Sequence, residues 1–170
     1  MDILILLILI VLPALTIVAA LTDVTTMKIP NWISLALIVT FFPAALLTGL
    51  SPMTILIHVG IGVAALLIGM VLFAFRVIGG GDAKLLAATC LWMGLTGSGP
   101  FIVWTALVGG FLSLGLLMAR QHARPFVIGA PAWVETLMEP KGDIPYGTAI
   151  AVGALIAYPA SPLVVAFVGG

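Results

Sequence analysis

Long stretches without a charged side chain restrict this protein to very few folds. Residues 3–22, 29–75 and 85–119 contain no Asp, Glu, Lys or Arg, and over the whole chain 63% of residues are hydrophobic and 7% are charged. Soluble domains carry about 25% charged residues, so a water-soluble fold is excluded. Inside a bilayer every backbone polar group must be paired within the protein, which favours helices over open strands. The sequence therefore predicts an all-α integral membrane protein.

The apolar runs predict about six transmembrane helices in one domain that covers residues 1–170. A bilayer core about 30 Å thick takes roughly 20 helical residues, and turns rich in Gly, Pro or charge separate runs of about that length. One longer polar stretch, 120–143, is predicted as a loop, with a short amphipathic helix at 132–139 lying on the membrane. The six predicted spans are residues 3–21, 32–50, 53–78, 83–95, 101–119 and 144–168.

Basic residues indicate the orientation, because alternating spans place every Lys and Arg on one side of the membrane. The turns at 50–52 and 97–100 fall on the other side, together with both chain ends. The positive-inside rule then predicts that the basic side is cytoplasmic and that both termini are not. The six basic residues are Lys28, Arg76, Lys84, Arg120, Arg124 and Lys141.

Charge and cysteine usage exclude further classes. Net charge is zero and the basic residues are dispersed, so no nucleic-acid partner is expected. Cys90 is the sole cysteine and falls inside a predicted span, which leaves no disulfide, paired-cysteine metal site or redox pair. Membrane lipid is the partner that the composition itself implies.

Three acidic residues stand at span ends on the predicted cytoplasmic side. Asp23 follows the first span, Asp82 follows the glycine run 79–81 and opens the fourth, and Asp143 precedes the last. Each one alone is explained as a helix cap or a solvated interfacial charge. Acids beside a membrane often serve a function, however, so a site formed by two of them is the competing interpretation.

Two carboxylates that meet in a partly dry site cannot both ionise, so they share one proton. The ionised one can take a proton from a water that attacks a peptide carbonyl, while the protonated one donates to the developing oxyanion. This chemistry requires no metal and no organic cofactor. The residues alone leave open which two of the three acids pair and which one carries the proton.

Neighbouring residues suggest how a peptide would be held. Gly79, Gly80 and Gly81 give a backbone free to adopt positive φ and able to approach an extended peptide closely. Glu135 and Glu139 share a helix face that could attract a basic segment, although a solvated face is the alternative. Lys84 is expected to anchor its helix at the lipid headgroups, with substrate contact as the alternative.

The motifs around two of the acids resemble the type IV prepilin peptidase family of GxGD membrane aspartic proteases. They are Asp23 with KIPN at 28–31, and GGGDAKLL at 79–86; PYG at 145–147 is similar to the closing segment of the family. The resemblance implies that Asp23 and Asp82 are the catalytic pair. It also implies a prepilin or pseudopilin precursor as substrate, with its short basic leader cut at the cytoplasmic face of the bacterial inner membrane and with pilus assembly machinery nearby.

One departure from larger family members narrows the expected activity. Those members add a cytoplasmic domain with paired cysteines and also methylate the new pilin N-terminus, whereas this chain has only Cys90. The resemblance therefore implies a peptidase without methyltransferase activity, similar to the minimal enzymes of tight-adherence (Flp) pilus systems. An archaeal preflagellin peptidase is a near alternative. A noncatalytic scaffold and a small proton-coupled transporter also remain, although transporter sites usually lie near the bilayer midplane between repeats.

Overall fold

The computed structural model describes residues 2–122, 129–140 and 142–169. No strand occurs in these described ranges, so the predicted all-α class is confirmed. A 3-10 turn, Tyr158–Ala160, separates α7 from α8. The helices are α1 Asp2–Leu9, α2 Val11–Thr26, α3 Asn31–Leu47, α4 Pro52–Ala74, α5 Gly80–His122, α6 Ala132–Leu137, α7 Tyr146–Ala157 and α8 Pro162–Gly169.

Within the described residues, four helical segments are long and apolar enough to cross a membrane: Ile3–Thr26, Pro52–Ala74, Gly80–His122 and Tyr146–Gly169. Helix α3 is also apolar but has 17 residues, about 26 Å of helix, slightly less than the core of a bilayer. Large hydrophobic side chains are exposed along these segments, as a lipid-facing surface requires. The protein is therefore a multi-pass membrane protein.

Helix α5 consists of two limbs, because the chain reverses direction at Gly94. Gly94 has φ 60° and ψ −163°, which lies outside the helical region. Ser98 Oγ donates to the Cys90 carbonyl at 3.3 Å, whereas eight residues of straight helix rise about 12 Å. We call residues 80–93 the first limb and residues 95–122 the second limb. They correspond to the fourth and fifth predicted spans.

The predicted turn at 97–100 is wrong, since the reversal occurs earlier, at Gly94. The reason is a contact from another helix: the imidazole of His58 in α4 occupies the space that a Cβ at Gly94 would need. His58 is itself fixed, because Nδ1 donates to the Leu91 carbonyl at 2.7 Å. A left-handed φ beside a filled space permits only glycine.

Helix α4 and the first limb are antiparallel. Gly69 lies against Ala83 near one end of the pair, and Gly62 lies against Leu91 further along. The absence of side chains at these two glycines lets the helix axes approach closely. The first limb therefore runs away from the end of the bundle at which α4 terminates.

The second limb packs on α7 with the same antiparallel sense. Thr105 lies against Gly153, and Gly109 lies against Tyr146 in the first turn of α7. The second limb consequently returns to the end from which the first limb started. We call this the acidic end, because Asp23 near the end of α2 and Asp82 at the start of α5 both lie there.

Aromatic and polar contacts fix the opposite half of the bundle. Trp92 is fully buried, its ring packs edge-on against Phe41 and Tyr158, and its Nε1 donates to the Leu37 carbonyl at 2.8 Å. The Tyr158 hydroxyl donates to the Leu9 carbonyl at 3.0 Å. These bonds satisfy indole and phenol groups that are otherwise costly to bury.

The first and the last predicted spans also differ from the structure. Helix α2 continues to Thr26 instead of ending at 21, so Asp23 lies in its last turns and not in the following loop. Thr25 and Thr26 hydroxyls donate to carbonyls four residues earlier, both at 2.7 Å, and so keep their polar groups satisfied within the helix. The last predicted span, 144–168, is interrupted by the 3-10 turn Tyr158–Ala160, where Pro159 cannot continue the α-helical bonding.

Candidate active site

A cavity of about 470 Å³ opens at the acidic end of the bundle. Its walls come from the ends of α2 and α4, the start of α5, and the segment that leads into α7. Asp23, Asp82 and Asp143 all line it. Other lining residues used below are Met27, Arg76, Gly79, Gly142, Ile144 and Tyr146.

Asp23 is held by the first turn of α7. Its side chain is 6% exposed, and Oδ2 accepts a hydrogen bond of 2.7 Å from the Gly147 N–H. The first N–H groups of a helix have no partner within the helix and favour a negative charge, so this contact suits a carboxylate. A Cβ at Gly147 would lie 2.8 Å from Asp23 Oδ2, so a side chain there would displace the acid.

Asp82 is the third residue of α5 and bonds back to the residue before that helix. Its Oδ2 accepts from the Gly79 N–H at 3.1 Å, the contact that the third residue makes in a capping box. Asp82 therefore caps the helix from its third position, by accepting the N–H of Gly79, and not from the residue that precedes the helix. Asp82 Oδ1 is buried without a hydrogen-bond donor in the described part of the chain.

The two carboxylates share an arrangement that suits paired chemistry. Each uses Oδ2 to accept one backbone N–H, and Asp82 lies within electrostatic range of both Asp23 and Asp143. The second oxygen of Asp82, Oδ1, still lacks a hydrogen-bond partner, since no described residue donates to it. Such an arrangement can activate water without a covalent intermediate.

Asp143 differs from the other two acids. Its side chain is exposed, and what is held is its backbone carbonyl, which accepts from Arg120 Nη2 at 2.7 Å. Within the described ranges, no group of three His, Cys, Asp or Glu side chains is arranged to hold a metal ion, although three acids line this cavity. Asp143 thus lines the cavity, but its side chain, unlike those of Asp23 and Asp82, accepts no backbone N–H bond from the residues that the structure describes.

The glycine run has a different conformation from the one expected. Gly79 lines the cavity, but Gly80 faces the Phe73 ring and Gly81 packs against Ile29, where an added Cβ would lie 3.1 Å from the Ile29 Cβ. None of the three has a positive φ, so the conformational freedom that glycine allows is not used here. The reason is that α5 begins at Gly80, which places the run in or beside a helix.

Left-handed backbone occurs instead at two other residues of the cavity wall. Met27, just after α2, has φ 53°, and Arg76, just after α4, has φ 57°. Left-handed φ values are uncommon in residues with a Cβ and often mark functional sites. The sequence carried no signal of this, since neither residue is Gly, Asn or Asp.

The other predicted contact residues lie away from the cavity in the described structure. Lys84 Nζ donates to Asn31 Oδ1 at 2.9 Å and borders a separate apolar groove between α3, α4 and the first limb. Glu135 Oε1 accepts from the Gly129 N–H at 3.2 Å, and Glu139 is likewise outside the lining. A direct contact of these three with substrate remains a prediction.

Sequence reasoning missed two residues that organise the site. The sequence shows Gly147 as part of the PYG motif, and its place at the start of a span, where N–H groups lack partners, is the signal that could have identified it. The sequence predicts Arg120 to be a basic residue on the cytoplasmic side, and its neighbours carry no signal of a buried position. Two more of the six basic residues, Arg124 and Lys141, lie outside the described residues.

Comparison with known proteins agrees with the motif resemblance. The profile of the type IV leader peptidase family matches residues 10–114, more than half of the chain, and the match includes Asp23 and Asp82. No curated protein and no solved structure matches the chain. With a family match of this extent, the chain belongs to the type IV leader peptidase family.

Proposed function

We propose that this protein is an aspartic endopeptidase embedded in the membrane, with Asp23 and Asp82 as its catalytic pair. Membership of the type IV leader peptidase family indicates a peptidase. The observation that carries the finer proposal is that two carboxylates from different helices line one cavity, each with its Oδ2 on a backbone N–H. Its substrate is the precursor of a type IV pilin or pseudopilin, cut between the short basic leader and the apolar segment.

The proposed reaction is a direct attack of water on the scissile peptide bond. The ionised carboxylate of the pair removes a proton from a water molecule while the water oxygen bonds to the carbonyl carbon. The protonated carboxyl donates its proton to the carbonyl oxygen. The tetrahedral intermediate then expels the amine, which takes a proton from the pair. The products are the leader with a new carboxylate and the mature protein with a new amino group, and no metal or cofactor takes part.

Charge distribution supports an active site on the cytoplasmic side of the membrane, which for the proposed substrate is the bacterial inner membrane. Arg76 lines the cavity, Lys84 follows Asp82 by two residues, and Arg120 binds the segment that carries Asp143. Basic residues concentrate on the cytoplasmic side of membrane proteins. We therefore place the acidic end in the cytoplasm and both termini on the opposite side, so that the leader of a precursor meets Asp23 and Asp82 at the membrane interface.

Substrate contacts are proposed on two scales. Gly79 borders the cavity and is the residue of the glycine run placed to contact the peptide backbone. Glu135 and Glu139 lie outside the cavity and act at longer range, as negative charges that raise the local concentration of a basic leader. Pilus assembly machinery, which would receive the mature pilin, is the further partner that this role implies.

We propose that this protein hydrolyses the precursor and does not methylate the new N-terminus. Cys90, the sole cysteine, is buried in the first limb, so paired cysteines of the kind found in methylating family members are not available. We propose Flp-type precursors as substrates on the same grounds. Mass spectrometry of the mature pilin N-terminus tests this directly, because an added methyl group installed by the purified protein would refute it.

Co-expression with candidate precursors tests the function. The unaltered protein is expected to shorten a Flp-type precursor, whereas Asp23→Asn and Asp82→Asn leave it at full length when present at equal levels in the membrane. Asp143→Asn is the matched control, since it also removes a carboxylate from the cavity wall. Cleavage of a preflagellin in preference to a prepilin would assign the alternative substrate class, and cleavage by either of the first two variants would refute the catalytic pair.

A further inference from the structure

Arg120, near the end of the second limb, is buried and binds three backbone carbonyls, one at the end of α6 and two in the segment that leads into α7. Its side chain is 9% exposed. Nε donates to the Leu137 carbonyl at 2.9 Å, Nη1 to the Gly142 carbonyl at 2.8 Å, and Nη2 to the Asp143 carbonyl at 2.7 Å. All three nitrogens of the guanidinium are used, and each donates to a different residue.

The donor and acceptor types of these bonds indicate that Arg120 holds the backbone in a defined position. A guanidinium is a rigid planar fork, whereas an ammonium is a point charge on a flexible stem. The three acceptors are backbone carbonyl oxygens and not carboxylates, so Arg120 fixes the course of the main chain. The approach is close, since a Cβ at Gly142 would lie 3.3 Å from Nη2.

The segment that Arg120 holds is also part of the cavity wall. Gly142, Asp143 and Ile144 line the cavity with Asp23 and Asp82. From Asp143 the chain reaches Gly147 in four residues, and the Tyr146 N–H donates to the Ile144 carbonyl at 2.8 Å within this stretch. The Gly147 N–H then binds Asp23 Oδ2 at 2.7 Å. Residues 143–147 are thus anchored by Arg120 at one end and by Asp23 at the other.

We propose that Arg120 is a positioning residue, which clamps Gly142 and Asp143 so that the Gly147 N–H and Asp23 stay aligned in the cavity. This inference rests on the proposed peptidase function of Asp23 and Asp82. Arg120 itself touches neither carboxylate. Its loss is therefore expected to reduce the rate of the chemical step and to leave substrate binding little changed.

Arg120→Lys is the primary variant, because it keeps the positive charge and removes the fork. We expect kcat to fall by about tenfold to a hundredfold while KM stays within about threefold, the signature of misplaced catalytic groups. Hydrogen–deuterium exchange should become faster in peptides covering 142–147 and stay unchanged in 83–93. Gln121→Ala, an exposed neighbour on the same limb, is the control and should match the unaltered protein in both measurements.

Gly142→Ala is the second variant, for use if Arg120→Lys fails to fold. Its Cβ would lie 3.3 Å from Arg120 Nη2 and 3.2 Å from Glu139 Cβ, so these groups must shift by a few tenths of an ångström, and a smaller fall in kcat with faster exchange over 143–147 is expected. The clamp is refuted if a folded variant keeps kcat within about twofold, raises only KM, or leaves exchange over 142–147 unchanged. Asp82→Asn separates the two proposals: cleavage by that variant refutes the catalytic pair, whereas Arg120→Lys reports on the clamp through exchange without need of activity.

Discussion

Replacement of Gly147 by Ala tests how closely Asp23 is fitted to the first turn of α7. The added Cβ would lie 2.8 Å from Asp23 Oδ2, 2.9 Å from Ile29 Cδ1 and 3.1 Å from Asp23 Cβ. Ordinary contact begins at 3.4 Å, so the carboxylate must move by about 0.6 Å or the start of α7 must tilt away. Either movement lengthens the 2.7 Å bond from the Gly147 N–H.

The magnitude follows from that bond. A hydrogen bond to a charged group contributes about 1.5–3 kcal/mol, which corresponds to about tenfold to 150-fold in rate if it is lost from the transition state. Misplacement of catalytic groups by about 1 Å has an effect of similar size. Overpacking costs about 1–3 kcal/mol of stability, partly offset because Ala favours a helix over Gly by up to about 1 kcal/mol.

The assay is steady-state cleavage of a purified precursor in detergent, with thermal unfolding of each variant measured in parallel. Gly147→Ala is expected to lower kcat by about tenfold to 150-fold, with a folded protein at the assay temperature. Gly110→Ala is the matched control, since Gly110 is also helical and an added Cβ would meet nothing within 4 Å. A stable Gly147→Ala variant with kcat within about twofold of the control would refute the role assigned to this contact.

Three further substitutions probe the backbone and the surface. Gly94→Ala would place a Cβ at a residue with left-handed φ, in the space that His58 fills. The free energy of unfolding, measured in mixed micelles, should therefore fall by about 2–5 kcal/mol. A fall below about 1 kcal/mol would contradict a chain reversal at Gly94. Arg76→Gly relieves a φ of 57° and should raise the free energy of unfolding by about 1 kcal/mol in the same assay; a fall would show that Arg76 has contacts that outweigh the strain. Lys84→Gln breaks an exposed bond to Asn31 outside the cavity, so kcat/KM in the cleavage assay should stay within about threefold, and a larger loss would give Lys84 the substrate contact considered as its alternative.

Residues 3–119 show what hydropathy can and cannot predict. Each predicted span has a helical counterpart, because a lipid-facing helix is identified by its own composition. Helix ends were less predictable: the threonines near Asp23 look like a loop in the sequence, yet their hydroxyls bond back into α2. The reversal at Gly94 was missed because the His58 ring that excludes a side chain there comes from another helix.

The site was predictable where its chemistry resides in single residues. Carboxylates at the ends of apolar spans identified Asp23, Asp82 and Asp143, and the cavity contains all three. The atoms that hold them were not predictable in the same way, since the Gly147 N–H reaches Asp23 across 124 residues of sequence. Arg120 illustrates the same limit, because a charged side chain near a helix end is ordinarily exposed and only the fold buries it.

The pairing of Asp23 with Asp82 is tested most directly by turnover of purified protein with a single carboxylate removed at a time. Asp23→Asn and Asp82→Asn are each expected to lower kcat by at least about a thousandfold, because each removes one partner of the proton exchange. Asp143→Asn is expected to stay within about tenfold, since that carboxylate only completes the cavity wall. Activity retained by either of the first two variants, or a loss in Asp143→Asn as large as theirs, would contradict the assignment.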